Sequence, residues 1–159
     1  MTQKRHTNRI AEAIAIDMTA EHGWYISELI MEITVTGDPR NVIHRNHVLI
    51  SATSSEEAYS KAVLLGKGGE TSYKNPHGED VRIRFVGIAD LDEIDDELED
   101  GAEVLFHYSV GVPEPEVESL IPEKGRLRVF APRTRAVGPD YASAEVVDLV
   151  RTTTGIERP

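Results

Sequence analysis

Three histidines are the residues of this chain best suited to metal chemistry. His44, His47 and His107 could meet on neighbouring strands, and two or three imidazoles are a common basis for a zinc site. However, His44 and His47 are three positions apart, and residues at that spacing point to opposite faces of an extended strand. We therefore predict solvent-facing or edge-strand histidines and no metal site.

A second set of polar residues could bind a small molecule. Trp24 and Glu28 alternate along one apolar stretch, and Arg82 and Arg84 alternate along another. Convergent charges beside an aromatic ring are typical of ligand sites, so a groove formed by these four residues is one hypothesis. The alternative is an ordinary cross-strand ion pair between the glutamates (Glu28 or Glu32) and the arginines, which contributes only about 0.2–1 kcal/mol.

The negative charge of the chain is concentrated in one stretch. The formal net charge is -11, and residues 90–123 hold thirteen acids and no Lys or Arg. This distribution argues against nucleic-acid binding, which needs Lys and Arg to neutralise phosphates, and favours a basic protein partner. We predict that the partner contacts the acids just before Gly101, which are Asp92, Glu93, Asp95, Asp96, Glu97, Glu99 and Asp100.

No recognisable catalytic motif accompanies these charges. The chain has no cysteine, so it has neither a thiolate nucleophile nor a disulfide. It has no Gly-x-Ser-x-Gly elbow, and the glycine-rich stretch 66–69 lacks the Lys-Ser/Thr ending of a phosphate-binding loop. An EF-hand alignment places Leu98 and His107 where oxygen ligands belong. We predict no catalytic residue and no cofactor, and we favour a protein that is not an enzyme while keeping an enzymatic domain as the alternative.

Composition favours a cytoplasmic location. The lack of cysteine fits a reducing compartment. The basic N-terminal segment is not followed by the apolar core of a signal peptide, and no apolar run reaches membrane-spanning length. We therefore expect no membrane contact.

Hydrophobic periodicity predicts an α+β fold built on an antiparallel sheet of four or five strands. Stretches 24–35 and 42–52 are expected to form a hairpin, and 81–86 and 102–110 two further strands. Residues 126–130 resemble a fifth strand. Alternation along the first strand places one set of side chains in the core, namely Tyr25, Ser27, Leu29, Met31, Ile33 and Val35.

One helix is expected to pack on a face of this sheet. Ser54 and Glu57 have the spacing of a capping box, which predicts a helix over 54–65. A glycine in the left-handed conformation, Gly66 or Gly68, would end it.

The chain divides into three predicted parts. Residues 1–22 form a helical extension, 23–110 the α+β core, and 111–159 an extension rich in proline with a short strand and a C-terminal helix over 140–151.

Several separated fragments of the core resemble a bacterial domain family of unknown function. They include Trp24-Tyr25 with Glu28-Leu29, Glu57-Ala58-Tyr59, Phe85-Val-Gly-Ile-Ala-Asp-Leu91 and Asp100-Gly-Ala-Glu103. The resemblance covers about residues 23–108. It implies a small α+β domain and assigns no catalytic residue.

Three functional hypotheses remain. The first is a non-enzymatic bacterial interaction module with an acidic surface for a basic protein, such as an immunity or inhibitor protein acting on a basic toxin or nuclease. The second is a small-molecule-binding or enzymatic domain that uses the sheet face around Trp24, Glu28, Arg82 and Arg84. The third is a homodimer formed through the Pro-rich segment 113–139.

Overall fold

The computed structural model describes residues 22–131 and 137–154. The elements in these ranges are β1 (Gly23–Val35), β2 (Val42–Ala52), α1 (Ser55–Gly68), β3 (Thr71–Lys74), β4 (Asp80–Ile94), α2 (Glu114–Ser119), a 3-10 turn (Lys124–Arg126) and α3 (Ala144–Thr154). The fold is therefore α+β, as the sequence predicts. The helix predicted for the N-terminal extension lies outside the described residues.

The four strands form one antiparallel sheet in the order β2-β1-β4-β3. The predicted hairpin of β1 and β2 is confirmed, and its turn contains Gly37 with φ of 91°. Only glycine adopts this left-handed conformation without a steric cost. Because β1 is paired on both sides, it is the central strand for most of the sheet's length.

One face of the sheet carries the hydrophobic core. The predicted inward face of β1 is confirmed, since its six residues from Tyr25 to Val35 are all buried. Ile33 and Val35 cluster with Val81 of β4, whereas Tyr25 and Leu29 cluster with Ile50 and Ala52 of β2 and with Ala58 and Ala62 of α1. Alanine has the smallest apolar side chain, so these two residues let the helix backbone lie close to the sheet.

The start of α1 follows its predicted signal, but its end does not. The Ser54 hydroxyl accepts the Glu57 N–H at 3.2 Å, and the Glu57 carboxylate accepts the N–H and hydroxyl of Thr53, both at 2.7 Å. The helix continues to Gly68 and is capped by Gly69 with φ of -83°. The predicted left-handed stop is therefore wrong. Gly66 lies instead within the helix, buried against the Phe85 ring.

β4 contains two bulges opposite β1. The pairing passes from Met31–Phe85 to Ile30–Gly87, and from Leu29–Ile88 to Glu28–Asp90, so Val86 and Ala89 have no partner on β1. Each bulge shifts the alternation of side chains by one residue. As a result Phe85, Ile88 and Leu91, spaced by three, all pack against the core.

Two predicted strands are wrong, and one strand was missed. Residues 102–110 form no strand, although their apolar and polar side chains alternate. Alternation alone does not supply a pairing partner, and this segment pairs with no strand although β3 covers only the first four residues of β4. Residues 126–130 form the end of the 3-10 turn and a further turn instead of a strand. The missed strand is the four-residue β3, which pairs with the start of β4.

The segment before α3 is tied to the sheet by polar contacts. The Asn75 amide donates to the Asp140 carbonyl at 2.8 Å, and the Tyr73 hydroxyl donates to the Tyr141 carbonyl. The rings of His44 and Tyr141 meet edge to face at 5.4 Å.

None of the described helices combines the length and apolar character that crossing a membrane requires.

Candidate functional site

The face of the sheet opposite the core carries a row of three ionisable residues. Glu28 on β1 lies directly opposite His47 on β2 and Asp90 on β4. Opposite residues in an antiparallel sheet project to the same side. The second bulge of β4 determines the position of Asp90, because skipping Ala89 brings the aspartate level with Glu28.

Glu28 is a buried carboxylate with a bidentate partner. Only 6 % of the surface of Glu28 is exposed to solvent. The Arg45 guanidinium donates from Nε to Oε1 and from Nη2 to Oε2, the latter at 2.8 Å. The Nε2 atom of His47 lies 3.8 Å from Oε1. The Arg45 hydrogen bonds hold the pKa of Glu28 below its usual value, although burial acts in the opposite direction. Glu28 is therefore ionised at neutral pH and is a weak proton acceptor.

A cavity of about 610 Å³ lies over this row. The sheet contributes Ile26, Glu28, Arg45, His47, Ala89 and Asp90 to its lining, and the segments that follow β4 contribute Leu105, His107 and Arg128. We call this cavity the Glu28 cleft. Its volume falls within the range of small-molecule sites, and its lining combines a few apolar side chains with several charged ones.

The four residues predicted to bind a ligand do not form one site. Glu28 lines the Glu28 cleft, whereas Trp24 pairs with Ile94 near one end of β1 and Arg82 lies opposite Thr34 near the other end. These two positions are separated by ten residues of strand, or roughly 33 Å.

Arg84 forms a cross-strand ion pair instead of contacting Glu28. Its Nη2 atom lies 2.6 Å from Oε2 of Glu32. The alternative interpretation of these charges, an ordinary cross-strand ion pair, is thus confirmed for Glu32 and Arg84.

The predicted partner-binding acids lie at the end of β4 and in the loop that follows. Asp92 and Glu93 are strand residues, and the other five lie in the loop. A small hollow of about 120 Å³ is lined by Asp92, Glu93, Asp95, Asp96, Glu103, Val104, Leu105 and Phe106. We call it the acidic hollow. Leu105 borders both the acidic hollow and the Glu28 cleft.

His44 and His47 lie on opposite faces of the sheet, as their spacing predicts. His47 and His107 both line the Glu28 cleft, whereas His44 lies opposite Met31 of the core face and contacts Tyr141. Within residues 22–131 and 137–154, no group of three or more His, Asp or Glu side chains is arranged to hold a metal ion.

Sequence reasoning missed three charged residues of the Glu28 cleft. Arg45 could have been found, because it is two positions from His47 in the same strand and must share its face. Asp90 was hidden by the two bulges, which together leave it on the side that alternation from Arg84 predicts but shift it by two residues along β1, to the position opposite Glu28. Arg128 follows a 3-10 turn, and no local pattern brings it to the sheet.

Comparison with known proteins gives one match. Residues 24–106, more than half of the chain, match the family model described as "Domain of unknown function (DUF4288)". The chain belongs to the DUF4288 family. Neither the curated proteins nor the solved structures gave a match. The DUF4288 match begins at the second residue of β1 and ends at Phe106, so it includes the rest of the sheet and the residues of the acidic hollow. His107 and Arg128 lie beyond it.

Proposed function

We propose that this DUF4288 protein is a non-enzymatic interaction module whose acidic hollow binds a basic protein partner. The observation that carries the proposal is a set of carboxylates without counter-charges. In the described part of the chain, none of the seven predicted acids forms an ion pair with a Lys, Arg or His side chain. A basic surface would supply the missing partners.

Apolar side chains in the acidic hollow support a protein partner in particular. Phe106 is 66 % exposed and Val104 is 41 % exposed, and both line the hollow beside its carboxylates. An aromatic residue surrounded by polar groups is a common arrangement at the energetic centre of a protein interface. The carboxylates would accelerate association and select the partner, while burial of Phe106 would supply affinity.

Mutual repulsion among these acids also favours a role in binding. Like charges crowded on one surface destabilise the folded chain, and no Lys or Arg occurs between residues 90 and 123 to reduce the effect. A basic partner would remove that repulsion on binding. We place this interaction in a reducing cytoplasm, consistent with a cysteine-free chain, and an immunity or inhibitor protein would be one form of it.

The test is affinity capture from a lysate of the source organism. A hollow variant carries Asp92→Asn, Glu93→Gln and Asp95→Asn, and keeps Asp96 because its carboxylate accepts the Glu103 N–H at 3.0 Å. A matched control removes three acids elsewhere, with Glu114→Gln, Glu116→Gln and Glu145→Gln. We expect the native chain and the control to retain the same basic protein, in a salt-dependent manner, and the hollow variant to lose it. Equal capture by all three chains would contradict the proposal.

A further inference from the structure

Two opposite charges in the Glu28 cleft are left without ion-pair partners. Asp90 and Arg128 both line the cleft, and neither forms an ion pair within residues 22–131 and 137–154. Among the described residues, the Asp90 carboxylate accepts a hydrogen bond from the N–H of its neighbour Leu91 alone, at 3.0 Å. The charges of Glu28 and Arg45, by contrast, already satisfy each other. The cleft thus presents one negative and one positive group that do not reach each other.

We propose that the Glu28 cleft binds a small zwitterion that carries an ammonium group and a carboxylate, as amino acids and short peptides do. The ammonium group would pair with Asp90, and the carboxylate with Arg128, whose guanidinium suits a bidentate contact. His47 and His107 offer further hydrogen bonds to either end. This site is separate from the acidic hollow and is independent of the protein partner proposed above.

A ligand with a single charge fits the cleft less well. An anion alone would leave Asp90 unpaired and would lie close to the carboxylates of Asp90 and Glu28, which are directly opposite each other across two strands. A cation alone would leave Arg128 unpaired. A molecule with both charges leaves neither residue unpaired, and this is the reason for choosing a zwitterion.

The size and apolar lining of the cleft favour a ligand longer than one amino acid. A volume of about 610 Å³ exceeds what one small amino acid fills. Ile26 and Leu105 also line the cleft and offer apolar contact to a side chain. We therefore expect a short peptide to bind more tightly than a free amino acid.

The test is a titration of the native protein followed by amide nuclear magnetic resonance, with four probes. Alanine and trialanine carry both charges, N-acetylalanine carries only the carboxylate, and alaninamide carries only the ammonium group. We expect trialanine to shift the amide signals of residues 89–91 and 105–107. N-acetylalanine and alaninamide should each bind about tenfold more weakly than alanine.

Two variants and one control assign the charges. Asp90→Asn should weaken alanine and alaninamide binding by about tenfold and leave N-acetylalanine binding unchanged. Arg128→Gln should weaken alanine and N-acetylalanine binding by about tenfold and leave alaninamide binding unchanged. Arg126→Gln removes a nearby charge that does not line the cleft, and it should leave the binding of all the probes unchanged. Binding of N-acetylalanine or alaninamide as tight as that of alanine would overturn the proposal, as would no shift with any probe. These outcomes concern the cleft alone, because capture of the basic protein partner is scored separately.

Discussion

At the scale of single residues, the sequence predicted contacts that are local and missed those that depend on distant pairing. Ser54 and Glu57 lie within four residues of the groups that they contact, so their spacing was sufficient to place the start of α1. The partner of the Glu28 carboxylate could not be identified from local spacing. Its partner Arg45 lies on the neighbouring strand, and only the register of the hairpin shows that the two side chains meet.

Glu57 makes the stability of the protein depend on pH in the acid range. Bonds from Lys61 and Thr53 lower its pKa from the usual 4.5 to about 2. A carboxyl whose pKa is lower in the folded than in the unfolded chain stabilises the fold above the unfolded value, and this stabilisation is lost as pH falls. As pH falls from 4.5 to 2, we expect the melting temperature of Glu57→Gln to fall by less than that of the native chain.

Two further variants complete this measurement. Asp38→Asn should also reduce the acid dependence, because Arg40 lowers the pKa of Asp38 to about 2. Glu56→Gln removes a carboxylate from the same helical turn as Glu57 and should leave the dependence as it is in the native chain. An unchanged pH profile for Glu57→Gln would show that its bonds contribute nothing to stability.

At the scale of elements, the sequence predicted three strands and the main helix because their patterns are long and regular. β3 has only four residues, too few for an alternating pattern to be evident. Residues 102–110 alternate well and yet form no strand, because a strand also needs backbone hydrogen bonds to a neighbouring strand, which side-chain alternation does not supply. This segment contributes Leu105 and His107 to the Glu28 cleft, so the same error concealed part of the candidate site.

The packing of α1 on β4 depends on a glycine. A Cβ atom added at Gly66 would lie 2.3 Å from Cε2 of Phe85, whereas one added at Gly68 meets nothing within 4 Å. Overpacking costs about 1–3 kcal/mol, more than the gain of about 1 kcal/mol from replacing glycine in a helix. We expect Gly66→Ala to lower the free energy of unfolding by up to about 2 kcal/mol, the difference between these two effects, measured by urea denaturation.

Gly68→Ala is the matched control for this substitution. It makes the same chemical change in the same helix, and we expect it to leave stability unchanged or to raise it by up to about 1 kcal/mol. Equal stability of the two variants would mean that Phe85 moves aside without cost.

At the scale of the whole molecule, the distribution of charge was evident from the sequence but its arrangement in space was not. The thirteen acids between residues 90 and 123 can be counted directly. The position of five of them in the acidic hollow, beside exposed Val104 and Phe106, follows from the path of the chain after β4, which no local pattern specifies. The same path brings Arg128 to the Glu28 cleft.

The acids of the hollow should reduce the stability of the isolated protein. In the hollow variant, three like charges are removed, so we expect a melting temperature about 2–4 °C higher at low salt, the change produced by about 1 kcal/mol in a chain of this size. The difference should shrink as salt screens the repulsion. Thermal melts at two ionic strengths would measure it, and a lower melting temperature for the variant would show that these acids support the fold.

Because of its two bulges, β4 contains two residues more than its pairing with β1 uses. Val86 and Ala89 are already passed over by the pairing with β1, so losing either one would leave the neighbouring residues on their present faces. Ala89 also lines the Glu28 cleft. Evolution can therefore shorten the chain at Ala89 and alter the shape of the cleft while the core-facing set of side chains stays the same. In this fold, the shape of the Glu28 cleft could then change between relatives while the sheet and its core stay the same.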